Sequence, residues 1–294
     1  MDAPPVRYLP IVVSVVIPAH NEAGVVGRLL SGLLADVEPG EFEVWVVANG
    51  CTDDTAGVAS GFAPEVQVLV SPKADKHAAM RLADEHAKTF PRLYVDADVE
   101  LNTADVRALA AAVDTPGVLA AGPERGWPAE RRPWTVRWFY DVWHALPVVR
   151  DGLFGRGVVA VSGEGHEQLR SLPPLMGDDL AASLVFAPEH RRVVPGATAV
   201  IHPPRTLSAL LRIRTRALVS TTQASTTSDL AAASDSARTS LSDLRTIALA
   251  HPVPNAPKVL WFLAVTVATR LRARRAVRAG DFRTWQRDDT TRQA

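Results

Sequence analysis

The chain has 294 residues, with 32 lysines and arginines balanced by 32 aspartates and glutamates, and 47% of its residues are hydrophobic. This length and composition allow one large domain with a substantial core. The zero net charge argues against a general nucleic-acid-binding protein, since such proteins carry a basic surface. The single cysteine, Cys51, excludes an intramolecular disulfide and fits a reducing compartment, so we expect a cytoplasmic protein.

Two apolar stretches bear on targeting and membrane insertion. The stretch near the N-terminus is about as long as a strand and lacks a basic leader and a cleavage pattern, so we do not expect a signal peptide. The longest other apolar run covers residues 259–268. It is well short of the roughly 18 to 20 residues that a membrane-spanning helix needs.

The first 120 residues alternate between strand-like and helix-like segments. Apolar, β-branched runs predict strands over residues 11–17, 44–47, 66–70, 93–95 and 117–122. We expect the first strand to stop at Pro18 and Asn21 to cap the helix that follows. Later helices are predicted to begin at Thr52 or Asp53, near residue 75, and at residue 103 or 105. Alternation with short links predicts an α/β domain with a mostly parallel sheet.

Three polar clusters follow predicted strands: "PAHNE" at 18–22, "ANGCTD" at 48–53 and "DAD" at 96–98. Asp96 and Asp98 point to the same side of an extended chain, and their repulsion is costly unless a positive group lies nearby. A solvated turn explains such a pair taken alone. Ligands in parallel sheets bind beyond the carboxyl ends of the strands, so the convergence of all three clusters favours a ligand site.

The regular pattern stops between Gly122 and Arg150, where tryptophan, arginine and proline are frequent. Two interpretations stay open: a loop packed by its own aromatic side chains, or a substrate-facing insertion that stacks on sugar rings or contacts lipid. Strand character resumes in "GVVAVSG", residues 157–163. A loop then leads into a helix with Asp178 and Asp179 in its first turn, where acids also favour the helix dipole.

Beyond residue 203 the chain becomes helical and basic. Residues 220–250 are rich in serine, threonine and alanine and read as loop or weak helix. Residues 258–278 join the apolar run to a series of arginines without an acid. Two interpretations of this segment stay open. Either it makes peripheral contact with the anionic inner face of a membrane, or it forms a helix that packs on the domain with its arginines in solvent.

Four motifs occur in order: "VSVVIPAHNEAGVVGRLLSGLL", "VWVVANGCTDDT", "YVDADVEL" and "GDDLAASL". With them, residues 10–217 resemble the bacterial family 2 glycosyltransferases of the GT-A fold. The resemblance implies a Rossmann-like, mostly parallel α/β sheet flanked by helices in residues 1–217, and a helical, basic extension in 218–294. It also implies an inverting enzyme that moves a sugar from a nucleoside-diphosphate donor to a hydroxyl acceptor.

The resemblance also assigns roles to particular residues. It implies a Mn²⁺ or Mg²⁺ ion that neutralises the departing diphosphate, since hard oxygen ligands suit these metals. Asp98 is the implied metal ligand, and Asp96 lies nearer the ribose or the waters of the metal. Asp179 is the implied catalytic base and Asp178 its helper. The base and ribose of the nucleotide are implied to contact Pro18, Ala19, Asn21, Glu22 and Asn49.

Several further assignments depart from the pattern or match it loosely. Ala48 and Asn49 stand where two acids are common, so the identity of the base is left open, and Asp53 is more readily a helix cap than a ligand. Lys76 matches a basic position before the third helix, but a solvated lysine is an equal alternative. His202 is the candidate third metal ligand or diphosphate contact, against a structural histidine. Two arginines of "RIRTR" are candidate diphosphate contacts, namely Arg214 and Arg216.

Two rival functions belong to other classes. A sugar nucleotidyltransferase has a similar sheet, but it should carry a glycine-rich phosphate loop after the first strand, and "PAHNEAGVVG" does not supply one. A non-catalytic nucleotide-binding scaffold is disfavoured because both acid pairs are intact. The motifs do not indicate the sugar, the acceptor or the natural metal.

Overall fold

The computed structural model describes residues 12–128, 132–172, 183–226 and 240–278. Within these ranges seven strands form one sheet flanked by helices. The strands are β1 Val13–Ala19, β2 Phe42–Asn49, β3 Val66–Ser71, β4 Arg92–Val95, β5 Ala120–Gly126, β6 Val158–Val161 and β7 Arg191–Val200.

The helices follow the strands on both faces of the sheet in the first half of the chain and then form a group of their own. They are α1 Val26–Leu33, α2 Thr55–Ser60, α3 Lys76–Asp84, α4 Thr103–Val113, α5 Trp134–Ala145, α6 Pro147–Asp151, α7 Gly163–Arg170, α8 Leu207–Thr226, α9 Leu241–Ala250 and α10 Pro252–Arg278. A short 3₁₀ turn, Pro188–His190, precedes β7.

The strand order is β3-β2-β1-β4-β6-β5-β7. Strands β1 to β4 run parallel, β6 is antiparallel to both of its neighbours, and β5 pairs with β7 in parallel. The predicted α/β class with a mostly parallel sheet is therefore confirmed. Because β2, β1 and β4 are parallel neighbours, the loops that follow them meet at one edge of the sheet.

The first strand and helix show why this sequence folds locally as it does. Every residue of β1 is buried, as expected for a β-branched strand covered on both faces. On α1, helical spacing places Leu29, Leu30 and Leu33 on one face, and each is 0% exposed in the main core cluster. Burial of each leucine side chain stabilises the fold by about 1.5 to 3 kcal/mol.

The predicted end of β1 at Pro18 is wrong, because the strand continues to Ala19. Pro18 pairs in register with Val47 of β2. The pairing with β4 ends earlier, at Val16, so the missing N–H of the proline interrupts no ladder on that side.

The break in pattern at residues 122–150 does not correspond to a loop over its whole length. β5 extends to Gly126, and α5 and α6 cover most of the remainder; residues 129–131 lie outside the described ranges. On α5, Val136, Phe139, Val142 and Trp143 are buried at helical spacing. The high content of tryptophan and arginine obscured this periodicity in the sequence.

The helices after β7 share a hydrophobic cluster with α5 and α6, which includes Leu210 of α8, Leu244 of α9 and Phe262 of α10. The predicted domain boundary at residues 217 and 218 falls inside α8. No helix in the described part of the chain combines the length and the apolarity needed to cross a membrane.

Candidate functional site

The loops that follow β1 and β2 are tied to each other at the sheet edge. Asn21 has φ +54°, a left-handed conformation that asparagine tolerates better than most residues. Its Oδ1 accepts a hydrogen bond from the backbone N–H of Thr52 at 2.6 Å. The prediction that Asn21 caps α1 is therefore wrong: α1 begins at Val26 after Val25, and the asparagine joins two loops instead.

Further hydrogen bonds fix the same pair of loops. The backbone N–H of Glu22 donates to Thr55 Oγ1 at 2.8 Å, and that of Ala23 donates to Asp53 Oδ2 at 3.1 Å. Asp53 Oδ1 also accepts from the backbone N–H of Thr55 at 3.1 Å, at the first residue of α2. The predicted start of this helix at Thr52 or Asp53 is wrong, because α2 begins at Thr55; Asp53 instead links the two loops.

Asn49 and Ala19 lie together at the ends of β2 and β1. Asn49 is 3% exposed, and its amide nitrogen donates to the carbonyl oxygens of Ala19 at 2.9 Å and Val47 at 3.3 Å. His20 Nδ1 hydrogen-bonds to the carbonyl oxygen of Asn49 at 2.7 Å. The side-chain nitrogen of Asn49 is thus already bonded to the backbone, and the predicted contact of Asn49 with the nucleotide stays a prediction.

A small pocket beneath these loops brings three of the predicted residues together. Pro18, Lys76 and Asp96 line it, with Tyr94 and Gly157. Lys76 Nζ lies 2.6 Å from Asp96 Oδ1, so a positive group does stand beside the aspartate pair. Both side chains are partly exposed, at 24% and 38%, so the ion pair contributes at most about 1 kcal/mol to stability.

The position of Lys76 follows from the start of α3. Asp75 caps that helix by accepting a hydrogen bond from the backbone N–H of Ala78 at 3.1 Å. Lys76 is therefore the first residue of the helix, and its side chain reaches the end of β4. The N-terminus of a helix carries a partial positive charge that attracts anions. A lysine at the first position of α3 therefore adds a second positive charge at the place where an anionic ligand would bind.

Gly157, which the sequence patterns did not indicate, holds the backbone of Asp96. Its carbonyl oxygen accepts from the N–H of Asp96 at 2.8 Å, directly before β6 begins. Gly157 has φ +65°, and a Cβ there would lie 2.4 Å from Val99 Cγ1 and 3.6 Å from Asp96 Oδ2. Only glycine tolerates both the positive φ and the lack of space for a Cβ at this position. The glycine before the "VVAV" strand was therefore the sequence feature that could have indicated this role.

Asp98 lies in the turn after β4 and is partly exposed. Among the described residues, no three histidine, cysteine, aspartate or glutamate side chains are grouped to hold a metal. Mg²⁺ and Mn²⁺ bound with phosphates commonly use one or two protein carboxylates, with phosphate and water oxygens as the other ligands. The carboxylates of Asp96 and Asp98 fit such a site.

His202, the candidate third metal ligand, pairs with Glu100. Its Nε2 lies 2.6 Å from Glu100 Oε1, and Arg28 Nε lies 3.3 Å from the same oxygen. Glu100 itself pairs through its backbone with Val200 of β7. Sequence reasoning missed Glu100, although it continues the alternation of acids at 96 and 98.

The two candidate arginines lie on α8. The guanidinium of Arg214 packs over the rings of Phe139 and Trp143, with its Cζ 5.4 Å and 5.3 Å from their centroids. Burial lowers the pKa of Arg214 below its usual range. Arg216 is partly buried. Arg214 therefore packs in the helical cluster, and the roles of Arg214 and Arg216 as diphosphate contacts stay predictions.

The candidate catalytic acids, Asp178 and Asp179, lie outside the described residues. Their assignment continues to rest on the "GDDLAASL" motif alone.

Comparisons with known proteins agree with this geometry. Residues 14–155 match the model of glycosyl transferase family 2. An uncharacterized glycosyltransferase of Mycobacterium bovis is 32% identical over 143 residues, which are 46% of this chain and 62% of that protein. A protein of the same description from Mycobacterium tuberculosis matches equally. The chain therefore spans less than two thirds of the length of these relatives.

Solved structures show the same fold. A mannosyltransferase of Pyrobaculum calidifontis, in complex with GDP-Man and Mn²⁺, has a TM-score of 0.63 at 20% identity, covering 89% of this chain and 86% of that one. TarS of S. aureus in complex with UDP-GlcNAc has a TM-score of 0.52 at 15% identity, covering 91% and 92%. At such identities the likeness concerns the fold, which is GT-A. The sheet and the converging loops agree with the family match, so residues 14–155 are similar to the glycosyl transferase family 2 domain.

Proposed function

We propose that the chain is an inverting, metal-dependent glycosyltransferase that moves a sugar from a nucleoside-diphosphate donor to a hydroxyl acceptor. The observation that carries the proposal is the convergence of Pro18, Lys76 and Asp96 on one pocket at the carboxyl edge of the parallel sheet. Support comes from the family match and from two solved relatives described with GDP-Man and UDP-GlcNAc.

The donor binds at the tied β1 and β2 loops, with its diphosphate towards the Lys76–Asp96 pair. Holding these loops before binding reduces the entropy lost when the nucleotide is fixed. The Lys76 ammonium, already within 2.6 Å of Asp96, then adds positive charge beside the diphosphate.

The metal would be held by Asp98, with Asp96 beside it, and is Mn²⁺ or Mg²⁺. When bound, it neutralises the negative charge that develops on the departing nucleoside diphosphate. His202 as a third ligand stays a prediction; its Nε2 is bonded to Glu100, so Nδ1 is the ring nitrogen left to meet a metal.

The acceptor hydroxyl attacks the anomeric carbon in line with the leaving group. The new carbon–oxygen bond forms as the bond to the nucleoside diphosphate breaks, so the configuration inverts. The proton of the hydroxyl passes to the carboxylate of Asp179, which is ionised at neutral pH. Asp178 contacts the acceptor or braces the loop. A cytoplasmic site of action is part of the proposal and rests on the single cysteine.

The test is the release of nucleoside diphosphate from a panel of sugar nucleotides with Mn²⁺, with water or an added alcohol as acceptor. Asp179→Asn should lower turnover at least about a hundredfold and leave donor affinity unchanged. Asp114→Asn, an exposed acid at the end of α4, is the control. Wild-type turnover in Asp179→Asn would remove the base assignment. If the wild type releases no nucleoside diphosphate from any donor, the proposed function fails.

A further inference from the structure

The long helix α10 has two apolar faces. One face is buried and includes Val259, Phe262, Val265 and Ala273, and the helix packs against α5, α8 and α9. The opposite face is exposed and carries apolar residues at alternating spacings of four and three. We call this face the outer stripe; it consists of Val253, Pro257, Leu260, Ala264, Val267 and Leu271.

The outer stripe is exposed to a degree that is unusual for large apolar side chains. Val253 is 89% exposed, Leu260 68%, Val267 54% and Leu271 51%. Successive residues of a helix turn by about 100°, so these four lie within one narrow sector, opposite the buried face. A contiguous exposed patch of this kind marks an interaction surface.

Basic side chains accompany the stripe at its C-terminal end. Arg270, Arg272, Arg274 and Arg275 are all exposed, and α10 contains no acidic residue. By helical geometry Arg274 and Arg275 lie on either side of the stripe. None of the four arginines forms an ion pair with another residue that the structure describes.

A group of tryptophans lies beside the stripe. Trp261 follows Leu260 on α10, and its ring centroid is 5.1 Å from that of Trp134, which is 4.9 Å from Trp138. Trp134 is 50% exposed. Tryptophan favours the boundary between water and the apolar part of a bilayer.

We propose that the outer stripe and its arginines dock the protein peripherally on an anionic lipid bilayer, with α10 lying in the plane of the surface. Such a surface provides an apolar layer for the stripe and negative headgroups for the arginines. Pairing with a second copy lacks this complementarity, because α10 offers no acid to a partner's arginines. The inference goes beyond the proposed transfer reaction and does not depend on it.

The test is flotation of the full chain with vesicles of phosphatidylcholine containing about 30% phosphatidylglycerol, compared with pure phosphatidylcholine. We expect binding to the anionic vesicles that weakens in high salt. Replacing Leu260, Val267 and Leu271 together by serine should lower the partition coefficient at least about tenfold. These side chains are exposed, so the melting temperature should change little. Val70→Ser, 71% exposed on β3, is the apolar control.

The charge contribution has its own matched pair of variants. Changing Arg270, Arg272, Arg274 and Arg275 to glutamine should abolish the preference for anionic vesicles, since each arginine near the surface strengthens binding about fivefold. The control removes four exposed arginines elsewhere, namely Arg81, Arg150, Arg170 and Arg192. Equal loss in control and test variants overturns the proposal. The proposal is also overturned if the wild type binds neither kind of vesicle, or if sedimentation velocity shows that the outer stripe forms a dimer interface instead.

Discussion

The placement of Asp96 depends on Gly157, and Gly157→Ala tests that dependence. An alanine at φ +65° costs about 1 to 2 kcal/mol in backbone strain alone. The new Cβ would also lie 2.4 Å from Val99 Cγ1, and Val99 is only 2% exposed, so it has little space to retreat. Such overpacking typically adds about 1 to 3 kcal/mol. We therefore expect a total loss of about 2 to 5 kcal/mol in the free energy of unfolding.

Urea denaturation measures this loss, and two variants separate its components. Gly196→Ala has the same left-handed backbone, with φ +85° and nothing within 4 Å of its Cβ, so it should show the strain without the collision. Val99→Ala removes the colliding methyl group, so the double variant with Gly157→Ala should recover at least about 1 kcal/mol relative to additivity.

The functional consequence follows from the hydrogen bond between the Asp96 N–H and the Gly157 carbonyl. When that carbonyl moves, the aspartate moves with it, so Gly157→Ala should also weaken metal-assisted nucleotide binding while Gly196→Ala does not. Equal stability of Gly157→Ala and Gly196→Ala, with unchanged nucleotide binding in both, would refute the reasoning.

Two other predictions concern single charges. Lys76→Met removes the ammonium group beside Asp96 and should weaken nucleoside-diphosphate binding at least about tenfold in calorimetry. The free energy of unfolding should change by less than about 1 kcal/mol. Lys73→Met is the control, and an equal loss of binding in that variant would contradict the assignment. Burial, with two arginines nearby, lowers the pKa of His144 to about 4, so below about pH 6.5 the unfolded chain gains a proton that the folded chain lacks. The free energy of unfolding, measured by urea denaturation, should fall by up to about 1.4 kcal/mol per pH unit between pH 6.5 and 4, and His144→Gln should flatten that slope.

Much of the fold was predictable from the sequence because the strands of the first half are buried on both faces. Such strands appear as short β-branched runs, and those runs predicted β1 to β4 and a mostly parallel sheet, although not the order of the strands. The start of the third helix was also predicted near residue 75, and Asp75 caps it by accepting a hydrogen bond from the backbone N–H of Ala78. The aromatic helix α5 was not, because its periodicity is masked by exposed tryptophan and arginine.

The site was predictable in part, for a different physical reason. Residues at strand ends are placed by sheet topology, so Pro18 and Asp96 were expected to meet, and the pocket they line confirms that meeting. Side chains whose partners are distant in the sequence were harder to assign. Asn21 bonds to the next loop, His202 pairs with Glu100, and Arg214 packs on aromatic rings, and no local pattern encodes those partners.

The central claim is that the aspartate pair holds a metal for a nucleoside diphosphate. The most direct test is calorimetric titration of nucleoside diphosphates into wild type, Asp98→Ala and the exposed control Asp114→Ala, each with and without Mn²⁺. The account predicts metal-dependent binding in wild type and control, lost in Asp98→Ala at an unchanged melting temperature. Equal metal-assisted affinity in Asp98→Ala and wild type would contradict it.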